Sequence, residues 1–285
     1  MPPPTPGRAE PLARTTIFCP TMPYQHRTIW ISDLHLGSRA AKARPLLDFL
    51  AHHEADRYYL VGDIVDGWAL QRSWYWPDTH NEVLQVLLER AADAEMIYVP
   101  GNHDAAARQF PGLRLGGITI RERTTHTTVD GRRFLVLHGD EFDGMIRHAP
   151  WISQLGGWAY ERLLTLSRYV NVVRQWMNLS YWSLAAAAKT KTKRAVQYIA
   201  DFEQAVARRA QHRDADGVIC GHIHVPALRA IRGTTYANVG DWVEHCTALV
   251  EAPDGTLSVR RWNPSRSRTE RVATVSEAGV PLHHG

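Results

Sequence analysis

Five short clusters in the chain carry side chains of the kind that hold metal ions. Asp33 and His35 form an Asp-x-His pair. Asp63 follows Gly62 and precedes Asp66. Asn102, His103 and Asp104 follow Gly101. His138 leads into Gly139 and Asp140, and Gly221 opens a Gly-His-x-His group made of His222 and His224. Imidazole, carboxylate and a neutral amide oxygen together suit Mn, Fe or Zn better than Ca, which prefers all-oxygen shells. Two such ions about 3.5–4 Å apart can clamp a phosphoryl group and activate water against it. A lone Asp-x-His is more often a loop with a solvated carboxylate, and Asn102 and Asp104 could be turn residues. All five clusters in one chain make the metal reading the stronger one.

The elements around these clusters say how they are brought together. Residues 28–32 read as a strand ending at Asp33, residues 57–61 as a strand ending at Gly62-Asp63, and residues 96–99 as a strand ending at Pro100-Gly101-Asn102. Helical patterns over 39–53 and 79–92 separate them. This is the strand–helix–strand rhythm of an α/β sheet, in which ligands collect beyond the carboxyl ends of strands. Short β runs follow at 117–121, 125–129 and 133–138, with Asp130-Gly131 as a hairpin turn. Residues 151–212 read as helical throughout. Strands return at 217–220, 228–232, 234–239, 245–251 and 256–262. The expected architecture is two packed mixed sheets flanked by helices, in a domain over 27–262 with a helical insertion over 142–212.

The ends read differently. Residues 1–26 hold seven of the 16 prolines and no apolar periodicity, and are expected to be a disordered tail. Met22 is expected to be the natural start, with the first 21 residues an extension of the gene model. Residues 263–285 are expected to be a loose C-terminal tail, whose basic stretch 260–271 is a solvated surface or an added attraction to a membrane.

Composition narrows the class. The chain has 285 residues, 44% hydrophobic and 22% charged, which excludes disorder of the whole. Three cysteines, Cys19, Cys220 and Cys246, are too few and too scattered for a disulfide framework and point to a reducing compartment. No apolar run reaches the roughly 18 residues that a membrane-spanning helix needs. Lys and Arg exceed Asp and Glu by 33 to 29, a formal charge of +4 that admits an anionic partner without naming one. Cys220 reads as a small core residue. His52, His53, His80, His126, His212, His283 and His284 carry no pattern and read as surface. Asp66 either caps a following helix or orients a metal ligand from behind, the second being favoured. Asp140 and Asp143 either open a helix or touch substrate.

Taken in order over residues 28–245, the five clusters resemble the complete signature of the calcineurin-like metallophosphoesterases. The resemblance implies an α/β fold built as a four-layer αββα sandwich and a site for two divalent ions, Mn2+ first, with Fe or Zn as the other choices. It places Asp33, His35 and His224 on one ion and Asn102, His138 and His222 on the other, with Asp63 bridging. By the same resemblance, His103 contacts the substrate phosphate and acts as general acid, with Asp104 holding its imidazole. Gly67-Trp68 follows Asp66 where many phosphatases of the family carry Arg, which tells against a protein phosphatase.

A finer similarity is to the UDP-2,3-diacylglucosamine diphosphatase branch of that family. It rests on the segment Gly62 to Trp68, the long helical stretch before Gly221, and the segment Asn238-Val-Gly-Asp-Trp242-Val-Glu244. Studied members have Arg where this chain has His103, so the chain resembles a related subgroup. The branch implies release of UMP and 2,3-diacylglucosamine 1-phosphate from a lipid-linked sugar nucleotide, a cytoplasmic enzyme peripheral on the inner face of the membrane, and phosphate or headgroup contacts at Lys189 and Lys193. Arg162, Arg168 and Arg174 are interspersed among Trp151, Trp158, Trp176 and Trp182, and residues 161–213 hold ten Lys and Arg against three Asp and Glu. Such a surface suits an anionic membrane and an acyl-chain groove. On the residues alone, a helical hairpin packed on the core has equal standing. Two other functions compete. One is a phosphodiesterase or nuclease using the same site, although no RNA-binding motif is present and the aromatic residues cluster with aliphatic ones, which argues against nucleic acid. The other is a non-catalytic scaffold, which should have lost ligands that this chain keeps.

Overall fold

The structure, a computed structural model, describes residues 23–145, 184–263 and 268–275. Strand side chains that alternate between two apolar clusters set the architecture. In β1 (Tyr24–Ile31), Ile29 and Ile31 join one apolar cluster and Trp30 another; in β2 (His53–Val61), Tyr58 and Leu60 are likewise opposed to Tyr59 and Val61. Strands buried on both faces need a layer on each side. β1 and β2 pair in parallel with each other, and β2 with β3 (Glu95–Val99). The sheet continues on one side through β5 (Ile118–Ile120) and β4 (Arg114–Leu115). On the other it continues through β11 (Thr247–Glu251), β12 (Leu257–Asn263) and β13 (Arg268–Val275), eight strands in all.

The second sheet has five strands in the order β6 (Thr124–Thr127), β7 (Arg133–Val136), β8 (Gly217–Cys220), β10 (Thr234–Asn238) and β9 (Ala227–Ile231). Trp30, Tyr59, Val99, Phe134, Ile219 and Leu249 fill the space between the sheets. On the outside of the first sheet, α1 (Ala43–His52) and α3 (Asp78–Asp93) contribute Leu46, Phe49, Leu50, Val83 and Leu87. On the outside of the second, α4 (Leu184–Gln211) contributes Tyr198, Phe202, Val206 and Ala210. The result is the αββα sandwich. The parallel strands β1, β2 and β3 of one sheet and β7 and β8 of the other all end at the same rim, where the five clusters lie.

Several boundaries differ from the sequence reading. The strand β1 begins at Tyr24, inside the segment expected to be a disordered tail, and β2 begins four residues early, at His53. A six-residue helix, α2 (Gly67–Arg72), appears because the Asp66 side chain accepts from Ala69 N and caps it. The C-terminal segment expected to be loose contains β13, paired antiparallel with β12. It reads as polar because it is an edge strand, where charged side chains are the rule. The C-terminal half of α4 is the fourth layer of the sandwich rather than part of an insertion. The proposed start at Met22 and the aromatic stretch 151–183 lie outside the described residues, and so do the side chains of Lys189 and Lys193.

His53, His80 and His126, read as surface, are buried. Each has a specific partner. His126 sits between the Tyr59 hydroxyl and the Glu251 carboxylate at 3.2 and 2.9 Å, and His80 Nδ1 accepts from Gly37 N at 3.0 Å. His53 stacks on Phe49 and meets the ring of His26 at 2.8 Å between nitrogens. Burial drives the His53 pKa down to about 3, helped by His26, Arg260 and His52, and burial with Arg260 takes His26 to about 4. Both values lie below that of the unfolded chain, about 6.5. Their contribution is therefore complete above about pH 6.5 and is lost as the pH falls through the folded values. Between pH 7 and 5 the thermal midpoint of His53→Phe should fall less steeply than that of the wild type. Parallel slopes, followed by circular dichroism, would contradict this.

Candidate metal centre

The ligand-type residues sit on tight loops, and the backbone there is strained. Asp33, His35, Asp63, His222 and His224 all have φ between 49° and 71°. Side chains with a Cβ rarely adopt this left-handed region, and such strain persists where the surroundings over-determine it. The loops hold one another. Asp33 N donates to Gly62 O at 3.0 Å, His35 N to Asp63 O at 2.9 Å, Gly221 N to His138 O at 3.1 Å, and Trp242 N to Asp33 O at 3.0 Å. His222 N donates to Asp33 Oδ2 at 3.0 Å, which ties the two sheets together at the site. Two glycines are required by close approach. A Cβ on Gly62 would stand 2.1 Å from the His138 ring, and one on Gly221 would stand 1.9 Å from Ser32 Oγ and 2.4 Å from Asp33 Oδ2.

Asp33, His35 and His224 converge, and so do Asp63, His138 and His222. Asp33 Oδ1 lies 3.2 Å from His224 Nε2, 3.5 Å from His138 Nε2 and 3.9 Å from His35 Nε2. Asp63 Oδ2 lies 3.8 Å from His35 Nε2 and 3.7 Å from His138 Nε2, so this one oxygen stands between the two groups. Its other oxygen accepts from His103 N at 2.9 Å. Three buried atoms of the site, Asp33 Oδ1, Asn102 Oδ1 and His138 Nε2, have no hydrogen-bond partner among the described residues. Leaving such atoms unpaired costs about 1–3 kcal/mol each, more for a charge. Two of them are acceptors and the third becomes one once its tautomer is fixed, so divalent cations satisfy all three. The residues present therefore fit a metal pair.

The tautomers are set from behind. A carboxylate can only accept, so each ring nitrogen that meets one donates. His35 Nδ1 donates to Asp66 Oδ2 at 3.3 Å and His138 Nδ1 to Asp140 Oδ1 at 3.1 Å, which leaves both Nε2 lone pairs facing inward. His222 Nε2 donates to the Asp143 carboxylate at 2.9 Å, which leaves Nδ1. Such partners fix the orientation and basicity of metal-binding histidines. Asp140 and Asp143 thus engage His138 and His222, and Asp140 also opens a short 3-10 helix over Asp140–Met145, as one of the two sequence readings had it. Asp143 also accepts from Tyr198 at 2.7 Å, so α4 supports the site from outside.

The role expected of Asp104 is corrected. Its carboxylate accepts from Ile64 N at 2.7 Å and Gly101 N at 2.6 Å, fastening the β2 and β3 loops to each other. The His103 ring is held by Asp66 instead, with Nδ1 donating to Asp66 Oδ1 at 2.8 Å. Asp66 therefore performs both tasks weighed for it and a third: helix cap, support of His35 and support of His103. Burial would lower the His103 pKa, but the Asp66 hydrogen bond and the Asp63 and Asp66 charges outweigh it and raise it. His103 Nε2 points into the site, 3.9 Å from Asp63 Oδ2. Burial opposes charge on Asp33 as well, yet His224 and His138 beside it hold its carboxyl well below the usual range.

Other contributors were not singled out from sequence. The Trp68 ring lies over the His103 ring at 4.0 Å between centroids. Ser32 Oγ donates to Asp33 Oδ2. Arg108 donates to Asp140 at 2.6 Å and to the Pro100 carbonyl at 3.0 Å, joining the loops after β3 and β7. Trp68 lay in a quoted segment, but nothing in sequence spacing marks Ser32 or Arg108.

The fold and this site define a metal-dependent phosphoester hydrolase. A family model, calcineurin-like phosphoesterase, matches residues 26–226, and the chain belongs to that family. More particularly, it is similar to proteins named UDP-2,3-diacylglucosamine hydrolase. That of Pectobacterium carotovorum is 28% identical over 79% of this chain and 95% of the relative. That of Chromohalobacter salexigens is 27% identical over 75% of this chain and 88% of the relative. Among solved structures, the phosphoesterase Yfce of E. coli aligns over 87% of this chain and 97% of its own, with 16% identity and a TM-score of 0.44. Among the described residues, no helix is long and apolar enough to cross a membrane.

The close packing at Gly221 gives a direct test. Gly221→Ala must displace Ser32 or Asp33, and such overpacking costs about 1–3 kcal/mol. Isothermal titration with Mn2+ should show at least a tenfold loss of affinity in the folded variant. Unchanged affinity would mean that Asp33 is not a ligand.

Proposed function

We propose that the protein cleaves the diphosphate of UDP-2,3-diacylglucosamine, giving UMP and 2,3-diacylglucosamine 1-phosphate. One observation carries the reading. The complete set of ligand-type side chains, with unpaired Asp33 Oδ1, Asn102 Oδ1 and His138 Nε2, occurs in a chain that aligns with most of the length of relatives named for that substrate. Asp33, His35 and His224 would hold one divalent ion and Asn102, His138 and His222 the other, with Asp63 shared. Mn2+ is the first choice for such a mixed shell, with Fe or Zn next. When bound, the ions supply Lewis-acid stabilisation of the phosphoryl oxygens and activation of water.

The chain's own residues then have defined tasks. Asp66 holds the His103 Nδ1–H and aims Nε2 into the site, where the imidazolium form that Asp66 and Asp63 favour can donate to a phosphoryl oxygen or to the departing group. Trp68 limits rotation of that imidazole. Asp140 and Asp143 keep His138 and His222 in ligating tautomers. The acyl chains require an apolar surface beside the site, and the headgroup an anionic membrane on the cytoplasmic face, with Lys189 and Lys193 as candidate phosphate contacts. A second reading, a phosphodiesterase of the same family with another substrate, is favoured by the imidazole of His103, which stands where the similar branch uses Arg.

The assay uses purified protein, Mn2+ and UDP-2,3-diacylglucosamine in detergent, with Asp63→Ala as the blank. UMP release by the wild type and a loss of at least about a thousandfold in the variant are expected. Turnover of a generic phosphodiester without UMP release would favour the second reading.

A further inference from the structure

Beside the metal centre lies a surface for which hydrolysis alone has no use. From α2 to the start of α3 the chain runs Trp68, Ala69, Leu70, Gln71, Arg72, Ser73, Trp74, Tyr75, Trp76 and Pro77. Trp74 is 77% exposed and Trp68 is 45% exposed. Isolated exposed apolar residues need no explanation, but two indoles on one short segment beside a site do. They stand on an ordered base. Trp74 lies 6.4 Å from Trp76 between ring centroids, and the Trp76 indole N–H donates to Asn81 at 2.8 Å. The guanidinium of Arg39 sits 4.4 Å over the Tyr75 ring. Arg39 belongs to the loop that follows His35, and that loop meets α2 where Gly37 approaches Leu70. The two segments therefore form one surface, contiguous with the metal centre through His35 and Trp68.

Cations predominate on it, and the exposed Asp78 that follows Pro77 is an acidic neighbour. Arg39, Lys42 and Arg72 are exposed, and none forms an ion pair among the described residues. Neither 36–47 nor 67–77 contains Asp or Glu, and Arg44, the other cation there, is paired with Glu82 at 3.0 Å. Arg72 follows Trp68 by four positions and so shares its side of α2. A protein partner would meet this apolar ring cluster equally well without the cations. Indole rings flanked by unpaired cations are what the boundary of an anionic bilayer selects: rings at headgroup depth, ammonium and guanidinium groups on phosphate.

We propose that Trp74, with Arg39, Lys42 and Arg72, docks the protein on an anionic lipid bilayer and holds the metal centre at headgroup level. The surface takes its purpose from the lipid-substrate reading, but its test needs no such substrate. Full-length protein is sedimented with vesicles of phosphatidylcholine alone or mixed with phosphatidylglycerol, and compared with a Trp74→Ala, Arg72→Glu double variant. Both changes are at exposed positions outside the metal centre. Wild type should partition onto the phosphatidylglycerol vesicles, and the variant at least about tenfold less, since each basic residue near such a surface contributes about fivefold. Hydrolysis of bis-p-nitrophenyl phosphate in buffer should be equal for both. Three results would overturn the proposal: equal partitioning of the two proteins, equal wild-type binding to phosphatidylcholine alone, or a wild type that ignores vesicles and self-associates in sedimentation velocity while the variant stays monomeric. Vesicle binding that needs Trp74 in a protein that releases no UMP would sink the substrate reading and leave this surface standing.

Discussion

Everything at the rim of this sandwich depends on one electrostatic constraint: carboxylates at the very ends of buried strands cannot be left without compensation. Asp33 is wholly buried and Asp63 nearly so. An uncompensated buried charge costs several kcal/mol, and the protein surrounds these two with imidazoles whose own outer nitrogens are spoken for by further carboxylates. The arrangement leaves Asp33 Oδ1 and Asn102 Oδ1 buried with no hydrogen-bond donor among the described residues. The left-handed backbone at five of the ligand-type residues is the visible conformational cost of aiming so many side chains at one place.

The two-sheet architecture makes that possible. Parallel strands from both sheets end on the same side, so one sheet delivers Asp33, Asp63 and Asn102 and the other delivers His138, His222 and His224. Neither sheet holds a complete set. The loops must be locked across the gap, which explains the bonds from His222 N to Asp33 and from Arg108 to both Pro100 and Asp140. Helix α4 joins the same network through Tyr198 and Asp143. Function and stability thus draw on the same contacts.

The convergence of the ligand-type side chains was legible in the sequence because chemistry restricts residue type and the strand ends restrict position. Asp63 and His138 could be read from their neighbours, and their convergence followed from the α/β rhythm. The supporting partners were not legible. The family resemblance assigned Asp104 to the His103 imidazole, yet Asp104 is taken up by the Ile64 and Gly101 amides and Asp66 from a different loop takes the place. Burial of His126 depends on Glu251, 125 residues away, which no local pattern reports. The edge strand β13 was missed because its exposed, charged composition is what an edge strand shares with a tail.

A carboxylate of Asp63 shared by two ions is the central requirement of this site. Electron paramagnetic resonance of the protein titrated with Mn2+ tests it most directly. A spin-coupled pair should appear at two equivalents and give way to an uncoupled signal in Asp63→Asn. A wild type that shows only uncoupled, mononuclear Mn2+ at saturation would contradict the shared-carboxylate site.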